Sequence, residues 1–254
     1  MTLPPTLPSA FLTHPIAHRA YHDKTAGRPE NSLAAVRAAV DAGYGIEIDL
    51  QLSSDGVAMV FHDYDLGRLT GVSGPLAART AAELGAIALL HGAECIPTLT
   101  AVLDTIAGRV PLLIEIKDQD GALGPNIGSL EAATAEALVG YDGPVALMSF
   151  NPHAIAAMAQ LAPHIPRGLT TSAYLPADWA PVPAAVCDVL REIPDYDRTG
   201  TCFISHEAFD LSRPRVAELK AQGAAILCWT IRSAQAEAEA RKIAQNITFE
   251  GYAA

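Results

Sequence analysis

The sequence predicts an α/β protein with a single (β/α)8 TIM barrel, and three observations lead to this fold class. Short apolar runs alternate with segments of helical periodicity, as in parallel sheets covered by helices. Eight such runs can be counted, the number that closes a parallel sheet into a barrel. The chain has 254 residues, near the roughly 250 that a barrel needs. We therefore expect one domain over residues 1–254.

Apolar runs define the candidate strands. The eight barrel candidates are residues 14–18, 45–50, 111–117, 145–150, 167–171, 202–205, 225–230 and 246–249. A ninth run, residues 57–62, follows Ser54-Asp55-Gly56, and Asp-Gly is a hairpin signal. We interpret the ninth run as an extra strand folded back onto the second one. A doubly wound open sheet is the alternative fold, but no glycine-rich phosphate-binding motif follows the first strand.

Helix signals separate these strands. Capping or first-turn residues stand at Ser32, Thr98, Pro214 and Ser233, and stop signals stand at Gly43, Gly108 and Gly223. The last predicted helix runs to about Gln245. Two regions interrupt the alternation. Residues 63–95 form a short insertion rich in small residues, and residues 174–194 are expected to be mostly loop because of their prolines.

Composition excludes several function classes. The formal net charge is −11, and no Lys/Arg cluster is present to displace counterions from a duplex, so no nucleic-acid partner is expected. The four cysteines form no CxxC pair, which predicts free thiols in a reducing compartment. The first residues lack the charged start of a signal peptide, and no run approaches the roughly 18 apolar residues of a membrane span. We therefore expect a cytoplasmic protein without stable membrane insertion.

Acidic residues lie where a barrel places its active site, at the C-terminal ends of the strands. Glu47 and Asp49 are two residues apart on one strand, so their side chains point to the same side. Glu115 ends another strand. Three carboxylates at one place repel each other unless a cation lies between them. Oxygen ligands favour Mg²⁺ or Ca²⁺, and the absence of zinc-type His or Cys spacing argues against zinc.

Basic and imidazole side chains also end strands. His18 and His62 end different strands, and two imidazoles beside one substrate suit general acid and base roles. Arg19 and Lys117 supply positive charge for a phosphate. Each feature is common by itself, and only their order along the chain is specific. The other histidines are expected to be structural or exposed, with His206 the one to reconsider because it ends a strand.

In that order the motifs resemble those of the glycerophosphodiester phosphodiesterase family. The matching segments are His18-Arg19, Arg28-Pro29-Glu30-Asn31-Ser32, Gly45-Ile46-Glu47-Ile48-Asp49, Ser54-Asp55-Gly56, Phe61-His62-Asp63, Ile96-Pro97-Thr98-Leu99, Ile114-Glu115-Ile116-Lys117, Ser149-Phe150 and Trp229-Thr230-Ile231. The resemblance covers nearly the whole chain and is strongest from His18 to His62.

The resemblance implies a reaction and a set of reacting groups. The family hydrolyses glycerophosphodiesters to glycerol 3-phosphate and an alcohol such as choline, ethanolamine or glycerol. By this resemblance Glu47, Asp49 and Glu115 would hold one divalent cation, Mg²⁺ or Ca²⁺. His18 and His62 would be the catalytic acid/base pair.

The resemblance also implies substrate contacts. Arg19 and Lys117 would bind the phosphate, Glu30 would lie at the rim of the metal site, and Trp229 would wall the substrate pocket. Met148 and Phe150 are expected to serve packing rather than the pocket.

The chain departs from the family pattern at several places. Ala20 stands where the family often has Gly, and Arg232 stands where Asn is common. The segment at residues 248–252, Thr-Phe-Glu-Gly-Tyr, replaces the usual Thr-Asp-x-Pro close. These departures bear on the substrate more than on the chemistry.

Other functions remain open. One alternative is a related phosphodiesterase that acts on lysophospholipid or another phosphodiester, although no basic amphipathic helix is evident. Another is a non-catalytic barrel that binds a phosphorylated ligand, but a pure binder needs no acid/base pair. The expected partner is a small phosphodiester, whereas the alcohol headgroup and the oligomeric state cannot be inferred from the sequence.

Overall fold

A computed structural model describes residues 5–254 and confirms the barrel. Its strands are β1 (Ile16–Ala17), β2 (Gly45–Leu52), β3 (Ala58–Val60), β4 (Leu112–Ile116), β5 (Val145–Ser149), β6 (Arg167–Thr171), β7 (Phe203–Glu207), β8 (Ala225–Ile231) and β9 (Asn246–Phe249). Eight strands pair in parallel, and β1 closes the ring by pairing with both β2 and β9. The extra strand β3 pairs antiparallel with β2 outside the ring, as the Asp-Gly turn predicts.

Helices follow most of the strands. They are α1 (Ala10–Thr13), α2 (Leu33–Ala42), α3 (Gly67–Thr70), α4 (Ala81–Leu84), α5 (Leu99–Ile106), α6 (Ser129–Ala137), α7 (Pro152–Leu161), α8 (Ala184–Arg191), α9 (Pro214–Ala221) and α10 (Ala234–Ala240). The predicted caps are present, because the hydroxyls of Ser32, Thr98 and Ser233 each accept a bond from a first-turn backbone N–H. No helix of residues 5–254 is long and apolar enough to cross a membrane.

The prediction for residues 174–194 holds for most of that segment, whereas one predicted helix end was wrong. Residues 174–194 lie mostly outside helices and strands, as expected, but they contain helix α8, which begins directly after Pro183 and ends before Pro194. Cys187 and Leu190 then bury one face of that helix. Helix α10 ends at Ala240 instead of continuing to Gln245, whose backbone N–H donates to the carbonyl of Ile226.

The insertion between β3 and α5 has an apolar core of its own. Leucines spread along residues 63–95 are buried against the outer side of the hairpin strand and its neighbours. The buried members are Met59, Phe61, Leu66, Leu69, Leu76, Leu84, Leu89 and Ile96. The insertion therefore has a fixed position beside the barrel mouth, although its sequence shows few helix signals.

Strand alternation divides the barrel into an outer and an inner layer. Ile46, Ile48 and Leu50 of β2 face the helices in the main core. The inner layer is apolar towards the N-terminal ends of the strands, where Phe11 of α1 packs against residues such as Leu113 and Phe203. At the C-terminal ends the inner positions are polar, and this end contains the candidate site.

Candidate active site

A cavity of about 180 Å³ opens at the C-terminal ends of the barrel strands. Its lining side chains belong to the strand ends and to the residues that directly follow them. They are His18, Arg19, Glu47, Asp49, His62, Glu115, Lys117, Met148, Phe150, Thr170, Trp229, Thr230, Arg232 and Thr248. The structure thus brings all but one of the sequence-predicted site residues to one cavity.

The three carboxylates form a cluster at the base of the site. Asp49 and Glu115 are direct neighbours across β2 and β4, and Glu47 points inward from the same side of β2. One oxygen from each carboxylate lies within 4.8 Å of the others. All three residues are buried. The Lys117 ammonium reaches into the cluster, with Nζ 2.8 Å from Asp49 Oδ1 and 2.5 Å from Glu115 Oε1.

The electrostatics of this cluster show a shortage of positive charge. Burial raises the pKa of Glu47 well above its usual value, and the charges of Asp49 and Glu115 add to this effect. Burial also opposes ionisation of Asp49, but Lys117, His62 and Arg19 together outweigh it and hold the pKa of Asp49 well below its usual range. Lys117 and Arg19 form ion pairs with Asp49, and Lys117 also with Glu115, but no Lys or Arg among residues 5–254 forms one with Glu47. A donor set made only of carboxylate oxygens suits a hard divalent cation, so these residues fit Mg²⁺ or Ca²⁺.

Both candidate acid/base histidines are bound to a carboxylate through Nδ1. His18 Nδ1 lies 2.6 Å from Glu250 Oε2, and His62 Nδ1 lies 2.7 Å from Asp63 Oδ1. An ionised carboxylate only accepts hydrogen bonds, so each Nδ1 carries the proton of its bond. Nε2 is then the ring nitrogen that each histidine has left for a ligand in the cavity.

Arg19 connects the carboxylate cluster with the insertion. Its backbone N–H donates to Glu47 Oε2 at 2.8 Å, and its Nη1 donates to Glu30 Oε1 at 2.7 Å. Glu30 is buried and also accepts two bonds from Arg68, at 2.7 and 2.9 Å. Glu30 therefore lies behind Arg19 rather than in the cavity wall.

Several polar atoms in the wall have no partner within the described chain. Arg19 Nε, Thr170 Oγ1 and Thr248 Oγ1 are buried, and none of them makes a hydrogen bond to residues 5–254. A buried donor without a partner costs about 1–3 kcal/mol. All three residues line the cavity, so a polar ligand bound there can complete their hydrogen bonds.

Aromatic rings form the opposite wall. Trp229 is fixed by a 2.9 Å bond from Nε1 to the carbonyl of Ser205. Phe150 packs edge-on against Trp229 at 5.5 Å between ring centroids and against Trp179 at 4.9 Å. The expectation that Met148 and Phe150 serve only packing was wrong, because both also line the cavity.

Some functional neighbours were not identified from the sequence. Arg68 lies in a segment without a motif and Glu250 in one that departs from the family's closing motif, so only their contacts identify them. Asn31 was within a motif, and its amide donates to Asp49 Oδ2 at 2.9 Å. His206 is buried outside the cavity, where Nδ1 pairs with Thr171 Oγ1 at 2.8 Å.

Comparison with known proteins agrees with this geometry. Residues 18–247 match the glycerophosphoryl diester phosphodiesterase family. The chain belongs to this family. A glycerophosphodiester phosphodiesterase of Caldanaerobacter subterraneus subsp. tengcongensis is 32% identical over 174 residues, 65% of this chain and 69% of that protein. One from Bacillus altitudinis is 30% identical over 169 residues, 63% and 67% of the two chains.

A solved structure shares the whole barrel. A phosphodiesterase of Oleispira antarctica, in complex with the product sn-glycerol-3-phosphate, superposes with a TM-score of 0.77 at 27% identity. The match covers 95% of this chain and 94% of that one. The resemblance inferred from the motifs is therefore confirmed over the length of the barrel.

The departures of this glycerophosphoryl diester phosphodiesterase family member lie beside the site. Ala20 has a φ of 64°, the left-handed region that favours glycine, which explains why glycine suits this position. Arg232 lines the cavity, and its Nε donates to Glu250 Oε1 at 2.7 Å. Two of the unusual residues therefore contact each other.

Proposed function

We propose that this single-domain protein hydrolyses glycerophosphodiesters to glycerol 3-phosphate and an alcohol. The observation that carries the proposal is one small cavity faced by three clustered carboxylates and by two imidazoles, each bonded to a carboxylate. Family membership and the product complex of the Oleispira antarctica relative support it.

Glu47, Asp49 and Glu115 would hold one divalent cation, Mg²⁺ or Ca²⁺. When bound, such an ion supplies Lewis-acid stabilisation of charge on phosphoryl oxygens. Lys117 and Arg19 stand beside the cluster and contribute fixed positive charge for the phosphate. The Nε of Arg19 lies 3.6 Å from Asp49 Oδ2 but makes no hydrogen bond within residues 5–254, so it provides a donor that a phosphate oxygen can accept from.

The two histidines move the protons. One imidazole takes a proton from the attacking hydroxyl or water through Nε2, and the other donates a proton to the oxygen of the leaving alcohol. Each ring is bonded at Nδ1 to a carboxylate, His18 to Glu250 and His62 to Asp63. Half-buried carboxylate partners of this kind also stabilise the imidazolium that forms during transfer.

The cavity dimensions support a small substrate. About 180 Å³ is enough for a glycerol or a short amino-alcohol beside the phosphate, and it is smaller than the roughly 300–1,000 Å³ of pockets for drug-sized ligands. Trp229 and Phe150 offer an apolar wall for the carbon skeleton. A lysophospholipid would have to leave its acyl chain outside this cavity.

The decisive experiment measures release of glycerol 3-phosphate from glycerophosphocholine, glycerophosphoethanolamine and glycerophosphoglycerol. Protein is stripped with EDTA and then given Mg²⁺ or Ca²⁺. We expect release only with a divalent ion, together with a rise in unfolding temperature because the cation neutralises buried carboxylates. Replacing His18 or His62 with Ala is expected to lower kcat by about 10²–10⁴-fold.

The control is His164→Ala, which changes an exposed histidine in the turn between α7 and β6. Normal turnover by folded His18→Ala and His62→Ala proteins would contradict the acid/base roles. Tight binding of glycerophosphocholine without product would instead identify a binding protein, and faster turnover of lysophospholipid micelles would identify the related lipid activity.

A further inference from the structure

Glu250 and Arg232 occupy neighbouring strand ends at the seam where the barrel closes. Glu250 directly follows β9, and Arg232 directly follows β8. The backbone N–H of Glu250 donates to the carbonyl of Ile231 at 2.9 Å, which ties the two segments together. Both residues stand where the sequence departs from the family pattern, so the two departures are in direct contact.

The Glu250 carboxylate binds Arg232 with one oxygen and His18 with the other. Oε1 accepts from Arg232 Nε at 2.7 Å, while Oε2 lies 2.6 Å from His18 Nδ1. A third basic side chain, His22, also lies near this carboxylate, with Nε2 3.6 Å from Glu250 Oε2. The hydrogen bond from His18 and the nearby imidazole of His22 hold the pKa of Glu250 below its usual range, so the side chain is an ionised acceptor.

The two histidines receive their carboxylates in different ways. His62 is followed in the chain by its partner Asp63, so that pair is local. His18 and Glu250 are 232 residues apart and meet only because β1 pairs with β9. The side chains of His18 and Glu250 are only 15% and 20% exposed, so solvent competes little for their bond.

We propose that Glu250 is the positioning residue of His18 and that Arg232 in turn fixes Glu250. This inference rests on the proposed function, since it assigns a partner to one of the proposed acid/base groups. Glu250 accepts the Nδ1 proton and thereby selects the tautomer whose Nε2 is free of hydrogen. Arg232 restricts the carboxylate to the rotamer that reaches His18.

The test compares Glu250→Ala, Glu250→Gln and Arg232→Met with the wild-type enzyme in the same metal-containing buffer. Loss of a supporting partner costs about 10–100-fold, so we expect Glu250→Ala to lower kcat by this factor with little change in KM. Glu250→Gln retains an acceptor oxygen and should lose less. Arg232→Met should lose least, and adding it to Glu250→Ala should cost nothing more, because the two residues act as one unit.

A second readout follows the ring directly. In ¹H–¹⁵N spectra at a pH where the ring is neutral, His18 signals are assigned by their loss in His18→Ala. Wild-type His18 should show the Nδ1–H tautomer, and Glu250→Ala should convert it to the Nε2–H form. Glu239→Gln is the matched control, since the exposed Glu239 of α10 pairs with Lys242 just beyond the end of that helix and should change neither readout.

Two outcomes would overturn the inference. One is a folded Glu250→Ala enzyme with wild-type kcat, and the other is a loss of activity with the His18 tautomer unchanged. If Glu250→Ala does not fold, an unaltered kcat in Glu250→Gln would also contradict the inference. A tautomer change in Glu250→Ala combined with full activity in His18→Ala would support the positioning contact and refute the proposed role of His18 alone.

Discussion

At the scale of single residues, Arg68 connects two halves of the candidate site. Its guanidinium donates to Asp63 at 2.5 and 2.9 Å and to Glu30 at 2.7 and 2.9 Å. Asp63 is the partner of His62, and Glu30 is the partner of Arg19. Although burial opposes it, bonds from His62 and Arg68 hold the pKa of Asp63 below its usual range. One exposed cation therefore orients the buried Glu30 and the half-buried Asp63.

Arg68→Met is expected to lower kcat about 10-fold, the lower part of the range for lost supporting contacts, because His62 and Arg19 lose a common restraint. Steady-state kinetics on the best glycerophosphodiester measures the loss. Arg198→Met serves as the matched control, since Arg198 is similarly exposed and pairs with Asp195 in the segment between α8 and β7. Equal kinetics in both variants would show that Arg68 does not support the site.

At the scale of the elements, β6 and β7 are fitted closely inside the barrel. Gly168 lies directly beside Phe203 in the ladder, and a Cβ at position 168 would stand 2.3 Å from the phenyl ring. The ring fills the inner apolar layer together with Leu113 and Leu227. Only glycine leaves room for this ring, so the small residue on β6 and the large one on β7 form a complementary pair.

Gly168→Ala is expected to destabilise the protein by about 1–3 kcal/mol, the usual cost of overpacking a filled core. Denaturant unfolding followed by circular dichroism measures the difference. Gly124→Ala is the control, because a Cβ there meets nothing within 4 Å. An equal midpoint for the two variants would show that the Phe203 ring can move aside at no cost.

At the scale of the whole molecule, burial of titratable groups couples stability to pH. His206 is fully buried, and its Nε2 lies 3.3 Å from Asp210 Oδ2. Burial lowers its pKa, and Asp210 restores only part of the shift. The unfolded chain therefore binds a proton more readily than the folded one. Stability is at its full value above the unfolded pKa of about 6.5 and falls as the pH is lowered through it.

We expect the free energy of unfolding to decline below about pH 6.5, by at most about 1.4 kcal/mol per pH unit for each proton taken up. Urea titrations at a series of pH values measure this slope. His206→Asn should flatten it, whereas His164→Asn, at an exposed position, should not. A slope that stays the same in His206→Asn would assign the dependence to other groups, such as buried His18, whose pKa burial also lowers.

The sequence by itself determined the features that depend on near neighbours. Period-two alternation placed Glu47 and Asp49 on the inner side of β2, and cap residues such as Ser32 set the start of a helix. Eight alternating units were enough to predict a closed barrel. The position of the carboxylates at strand ends was enough to predict that they lie together. The motif order then identified the family, because each motif lies on a separate strand end of the same face.

Only the tertiary structure decided which distant groups support the site. Glu250 meets His18 because the last strand pairs with the first, and no local pattern encodes that contact. Arg68 reaches Glu30 because the insertion folds onto its own leucine core, whose helices are too short to show a clear period. Such contacts depend on ring closure and on packing between segments, so they become visible only when the whole chain has folded.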